Sequence, residues 1–156
     1  MRYQEILEDL RNAMDDLVES SRSAPVIVEG EKDAVALRRL GVEGEILVVN
    51  AGLPLINFCE KVARRHRTAV IMTDWDAKGG TLCRRLQEGL EACGARADTE
   101  LRKKIAVLCR KDVKDVEGVP NYLLTLERWS KENRNEGARA RTAESLRRAG
   151  KTRERR

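Results

Sequence analysis

The chain alternates between short apolar runs and longer stretches whose apolar residues recur every three or four positions. Residues 25–29, 45–49 and 68–73 are the apolar runs, rich in Val and Ile and of a length that suits buried strands. A helical pattern follows each one. The first covers 31–40 and ends at Gly41, and the second covers 54–66 with Leu55, Ile56, Phe58, Val62 and Ala63. The third covers 79–93, with Leu82, Leu86 and Leu90 at four-residue steps. Ahead of them, residues 3–21 place Ile6, Leu7, Leu10, Met14, Leu17 and Val18 on one helical face and Glu8, Asp9, Asp15, Asp16 and Glu19 on the other. Alternating strand and helix patterns predict a parallel sheet covered on both faces, hence an α/β fold.

The pattern is less clear after residue 93. Gly94–Ala97 reads as a short fourth strand, with Asp98 as the N-cap of a helix through Leu101, Ile105, Leu108 and Cys109. A competing reading makes Lys104–Cys109 the last strand. Residues 112–118 form an acidic connector, and Pro120 opens a helix with Leu123, Leu124, Leu126 and Trp129, a proline being well suited to a first helical turn. From Lys131 onward the residues are polar and basic, and either extend that helix or are disordered.

Charge sharpens this division. Residues 131–156 hold ten Lys or Arg and four Glu, a net of +6, while the other 130 residues hold 21 basic and 22 acidic side chains, a net of −1. The basicity belongs to the tail, where it suits either nucleic-acid binding or solubility. Aromatics are only 3% of the chain, so the core must be aliphatic. Cys59, Cys83, Cys93 and Cys109 form no Cys-x-x-Cys pair, and His66 has no companion at ligand spacing, so a zinc site is not expected. No signal peptide heads the chain and no apolar run nears the ~20 residues that span a bilayer, so a cytoplasmic location without a membrane partner is expected.

Candidate chemistry gathers where two of the strands end. Thr73-Asp74-Trp75-Asp76-Ala77-Lys78-Gly79-Gly80 follows one strand and leads into a helix. Alternate residues of an extended segment point the same way, about 6.6 Å apart, so Asp74 and Asp76 suit one hard cation such as Mg²⁺. Asp76 equally suits a helix cap. Gly79 and Gly80 permit a tight turn and close approach to the backbone. Val28-Glu29-Gly30-Glu31-Lys32-Asp33 repeats the strand–acid–glycine–helix arrangement. Ligands of parallel sheets collect at the carboxyl ends of strands. If the two strands are neighbours, Glu29, Asp74 and Asp76 form one divalent-metal edge. Asp112, Asp115 and Glu117 are further acids for that edge, or else a solvated helix lead-in.

These segments, with the turn Asn50-Ala51-Gly52-Leu53-Pro54, resemble the Toprim domain shared by bacterial-type primases, topoisomerases, OLD-type nucleases, an RNA maturase and the RecR proteins. The resemblance covers about residues 24–118, and the chain looks most like small stand-alone Toprim proteins of archaeal type. It implies a Rossmann-like, four-stranded parallel sheet, with 1–23 as an added N-terminal helix and 119–156 as a C-terminal helix and basic tail. It also implies that Asp74 and Asp76 hold Mg²⁺, or alternatively Mn²⁺. Glu29 would be a further ligand or the general acid/base. Lys78 and Lys32 would meet phosphate oxygens, and Gly30, Gly52 and Gly79 would supply backbone turns. Asp33 is expected to brace its helix.

No Walker A motif and no Ser-His-Asp constellation is present, and the length leaves no room for the other parts of a topoisomerase or a bacterial primase. The expected activity is Mg²⁺-dependent phosphodiester cleavage in RNA or DNA, with RNA the first choice. The alternative is a non-catalytic module that binds metal and nucleic acid, or an accessory subunit in RNA processing, acting with a protein partner or as a homodimer.

Overall fold

A computed structural model describes residues 2–49, 52–109 and 112–154. Ten elements follow one another: α1 (Tyr3–Ser21), β1 (Val26–Val28), α2 (Glu31–Arg39), β2 (Ile46–Val48), α3 (Leu55–Arg65), β3 (Thr68–Ile71), α4 (Ala77–Ala92), β4 (Arg96–Asp98), α5 (Glu100–Cys109) and α6 (Val119–Glu154). The four strands are parallel, in the order β2-β1-β3-β4. The chain steps one way from β1 to β2, then back past β1 to β3. Connections of one hand that run in opposite directions put their helices on opposite faces. Two cores result. Val26, Val28, Val70 and Met72 face one built with α1, α2, α5 and α6. Ile27, Ala69 and Ile71 face the other, built with α3 and α4. Alternate residues of one strand thus serve opposite cores, as strand pleating requires.

Both cores are aliphatic apart from Phe58 on one side and Tyr122 on the other. Cys59 and Cys83 are buried within α3 and α4 as small hydrophobes. Helix α1 buries Leu7, Leu10, Ala13, Met14 and Leu17, the face its periodicity predicts. Its N-terminal half also meets α6. Tyr3 and Trp129 stack at 4.7 Å, Arg11 pairs with Glu127 at 2.9 Å, and the Ser130 hydroxyl donates to Gln4.

The fourth strand lies at Arg96–Asp98, two residues later than the pattern suggests, and Lys104–Cys109 is helical, not strand. Leu101, Ile105 and Cys109 are buried along one side of α5, and a strand would have sent alternate residues of that run to opposite faces. Asp98 ends β4 rather than capping from outside it, although its carboxylate still accepts the Glu100 N–H at 3.1 Å. The basic tail continues α6 to Glu154, and residues 131–151 are exposed apart from half-buried Gly137. His66 closes α3 and stands 3.2 Å from Glu45.

Candidate metal and nucleic-acid site

The sheet order reverses between β1 and β3, and a crevice opens where neighbouring strands of a parallel sheet diverge in this way. Glu29 follows β1 and Asp74 follows β3, so the topology brings these two acids to that crevice. The Asp74 N–H donates to Glu29 Oε1 at 3.2 Å. Asp74 Oδ1 accepts the Val116 N–H at 2.9 Å, which ties the 112–118 connector to the same edge. Trp75 adds two more ties: its N–H donates to the Lys114 carbonyl at 3.2 Å, and its indole Nε1 to the Val113 carbonyl at 2.7 Å.

Asp33, one turn into α2, accepts the Gly30 N–H at 3.1 Å and is only 8% exposed. It braces its helix, as expected, but burial also aims its charge at the others. Asp74 is pushed up to about 6, first by burial and then by repulsion from Asp33, Glu29 and Asp115. Glu29 is raised too, chiefly by burial, with Asp76 and Asp33 adding to it and Lys78 opposing. Asp33 is raised by burial and by Glu117 and Asp115. Of the three connector acids, Asp115 and Glu117 therefore act on the edge, whereas Asp112 accepts the Tyr122 hydroxyl at 3.0 Å.

Asp76 is exposed and caps α4, accepting the Gly79 N–H at 2.7 Å. Helix α4 starts at Ala77, so Gly79 and Gly80 sit in its first turn rather than in a separate tight turn. Gly79 has a packing reason to be glycine. A Cβ there would lie 1.9 Å from the Asp74 carbonyl oxygen and 2.9 Å from Glu29 Oε1. Close approach is thus made by the protein's own loop. Gly52 has φ +78°, a left-handed conformation that favours glycine. Gly30 is extended and begins α2. Asn50 and Ala51 of the same turn lie outside the described residues.

A groove of about 670 Å³ runs from this edge, and its walls include Glu29, Asp33, Asp74, Glu117, Lys32 and Lys78. Asp76 is not among its lining residues. Among the described residues no group of three or more His, Cys, Asp and Glu side chains is set out to hold a metal ion. The donor chemistry still fits a hard cation. Glu29 and Asp74 each present a carboxylate with one oxygen bound to a backbone N–H and the second without a hydrogen bond among the described residues. A crowd of half-buried acids is also what a divalent ion would relieve. Mg²⁺ commonly binds through one or two carboxylates, keeping waters or taking phosphate oxygens, so a full protein cage is not required.

Two residues of this region are missing from the expected site. Arg102 on α5 donates from Nε to the Thr73 carbonyl at 3.0 Å and from Nη2 to the Asp74 carbonyl at 2.6 Å, pinning the acid loop from behind. Its role depends on how α5 docks. Arg85 lines the groove two turns beyond Lys78. Its seven-residue spacing from Lys78, which puts both on one helical face, is the signal that could have found it.

An α/β domain with acids at the switch point of its parallel sheet is the class that these features define. The family described as Toprim-like matches residues 26–117. The chain belongs to that family. It is 37% identical over 125 residues to a UPF0292 protein of Methanosarcina barkeri, covering 80% of this chain and 87% of that one. A UPF0292 protein of Pyrococcus abyssi is 37% identical over 109 residues, covering 69% and 81%. A UPF0292 protein of Methanocaldococcus jannaschii is 27% identical over 124 residues, covering 79% and 96%. A solved Aquifex aeolicus protein shares the fold with a TM-score of 0.58 at 20% identity, over 68% of this chain and 94% of that one. Membership implies a function connected with metal and nucleic acid, and Toprim domains typically bind Mg²⁺. Among the described residues, no helix is long and apolar enough to cross a membrane.

Proposed function

We propose that this protein is a Mg²⁺-dependent nuclease that cleaves a phosphodiester in RNA or DNA, RNA being the first choice. The observation that carries the reading is the half-buried acid pair Glu29–Asp74 at the sheet's switch point, facing Lys78 across one groove. Asp74 would hold the ion, with Asp76 joining it by turning from its capping position, and Glu29 would be either a further ligand or the general acid/base. Bound there, Mg²⁺ neutralises phosphate charge and makes a bound water more acidic.

The chain's own residues do the rest. Lys78, exposed at the start of α4, meets a phosphate oxygen. Lys32 meets another from the first turn of α2. Glu29, whose raised pKa brings its proton affinity nearer neutral pH, takes the proton of the attacking water as its oxygen bonds to phosphorus, or gives one to the sugar oxygen that leaves as the P–O bond breaks. The exposed basic half of α6 adds sequence-independent grip on the polymer.

One observation favours a second reading, a non-catalytic metal- and nucleic-acid-binding module. Asp74 Oδ1 and Asp76 Oδ1 are both committed to backbone N–H groups, and the three expected ligands do not converge.

The deciding experiment incubates labelled RNA and DNA with the protein in Mg²⁺, Mn²⁺ or EDTA, beside Asp76→Asn and Glu29→Gln variants. Cleavage in Mg²⁺ that disappears in EDTA supports the nuclease. Binding in Mg²⁺ without cleavage of either polymer supports the module. Undiminished cleavage by Asp76→Asn removes Asp76 from the site.

A further inference from the structure

The groove that leaves the acid edge is lined by charged and by aliphatic side chains. Its charged residues include Glu29, Asp74 and Lys78 and, two turns further along α4, Arg85. Its aliphatic lining is Val49, Leu53, Leu55 and Leu82. Leu53 is 44% exposed, a large apolar side chain left open to water. Arg85 is exposed and takes part in no ion pair among the described residues, although the chain is rich in acids. Lys78 and Arg85 are seven residues apart on α4, which is about 10.5 Å along its axis. Each can therefore meet a different phosphate.

We infer that this groove is a subsite for a single strand of nucleic acid. One phosphate lies at the acid edge with Lys78, an unstacked base or sugar rests on the aliphatic lining, and Arg85 takes a neighbouring phosphate. The inference rests on the reading that the groove receives nucleic acid, and it adds the strandedness of the substrate and a residue that selects for it.

Charge and shape together favour this occupant. A duplex presents phosphates and sugars outward and keeps its base faces stacked inside, so it has no base face to set on an aliphatic lining. A single strand exposes a base face for every phosphate, and proteins that bind it pair cations with apolar or aromatic platforms. The lining holds no aromatic ring, so a base there makes an apolar contact rather than a stack on a ring. The volume of about 670 Å³ falls within the ~300–1,000 Å³ of small-molecule clefts, room for a nucleotide or two and not for a duplex. Arg85 presents a planar fork suited to phosphate oxygens, which a lysine does not.

The test uses the full chain in Ca²⁺ and a fluorescein-labelled hexauridylate, compared with a blunt RNA duplex of the same length. Binding is followed by anisotropy across a salt series, with Arg85→Ala and Leu53→Ser beside the wild type. Both positions are exposed, and an unchanged melting temperature checks that the variants fold. The expected result is preference of the wild type for the single strand. Arg85→Ala loses about tenfold in affinity, the scale of one charge-assisted contact. Its salt slope becomes shallower by about 0.7, the value of one single-strand phosphate contact. Leu53→Ser weakens binding with an unchanged slope. Equal affinity for strand and duplex, or no binding of the strand by wild type, overturns the inference. So does wild-type affinity and slope in both variants, even if the protein cleaves RNA. Arg85-dependent, single-strand-selective binding without any cleavage upholds the subsite and overturns the nuclease instead.

Discussion

The carboxyl edge of the sheet and the distal half of α6 both concentrate charge of one sign, and they do so in opposite surroundings. At the edge, Asp33, Glu29 and Asp74 are buried or half-buried, and burial first, then repulsion among them and from neighbouring acids, raises their pKa values. On α6, residues 131–151 carry seven Lys or Arg, nearly all in water. The Arg148–Glu144 pair at 2.6 Å is of the helical i,i+4 kind. Like charges in water are screened over about a Debye length and cost little. Like charges out of water are kept only where the fold compels it, and they create a site that a counter-ion relieves. Under the proposed function the two regions do different work: chemistry at the edge, loose electrostatic grip on the arm.

The largest expected effect sharpens the chemical side. Glu29→Gln keeps an acceptor for the Asp74 N–H and removes the carboxylate's charge together with its ability to move a proton. Cleavage, measured under single-turnover conditions, should fall by about 10²–10⁴-fold while Mg²⁺ binding by calorimetry persists. A loss of both together would make Glu29 a ligand only.

Truncation after Ser130 tests the arm. Affinity for a 30-nucleotide RNA in 50 mM salt should fall by about 10–10³-fold, and the salt slope should lose about 0.7 for each phosphate contact removed. The cleavage rate at saturating RNA should stay the same. Unchanged affinity and slope would make the arm a solubility device, and the comparison would collapse to one functional region.

Gly79→Ala attacks the edge through packing. Its Cβ would lie 1.9 Å from the Asp74 carbonyl oxygen, so either α4 or the acid loop must move. A cost of about 1–3 kcal/mol in urea unfolding is expected, as for other overpacked sites. Cleavage should fall with it because Asp74 shifts. Gly137→Ala, in open space on the arm, supplies the contrast and should leave the affinity for RNA as it was.

The smallest effect concerns pH. The folded pKa of Asp74, about 6, is above its ordinary value of 3.8. Between those values the folded state binds more protons than the unfolded state, so stability falls as pH rises through that window. The raised values of Glu29 and Asp33 work in the same direction. In EDTA, Asp74→Asn should therefore melt a few degrees above wild type at pH 7.5, with the gap closing toward pH 4. Mg²⁺ should reverse the order at pH 7.5 by stabilising the wild type. A variant that melts lower in EDTA at every pH would mean that the Val116 hydrogen bond outweighs the repulsion.

Periodicity alone was enough for α1 to α4 and β1 to β3, because each helix packs one apolar face on a core, the strands are short apolar runs between two cores, and the local pattern agrees with the place in the fold. The acids Glu29, Asp74 and Asp76 were legible for the same reason: a strand end followed by a glycine and a helix start is a local feature. Local pattern failed at β4, a three-residue edge strand with a half-exposed surface and little apolar signal.

What only the tertiary structure decided is which acids share an environment. Asp74 and Asp76 are alike in sequence, two residues apart, yet one is held at the crevice beside Glu29 and the other caps α4 in solvent. That separation depends on where Gly79 lets the helix pass the Asp74 carbonyl. It depends also on Arg102, Val113, Lys114 and Val116, which come from 28 to 42 residues further along the chain to pin the loop and its Trp75. Burial and electrostatic coupling act through space, so the pattern along the chain located the carboxylates, and the packing of α5 and the connector against them set their charge.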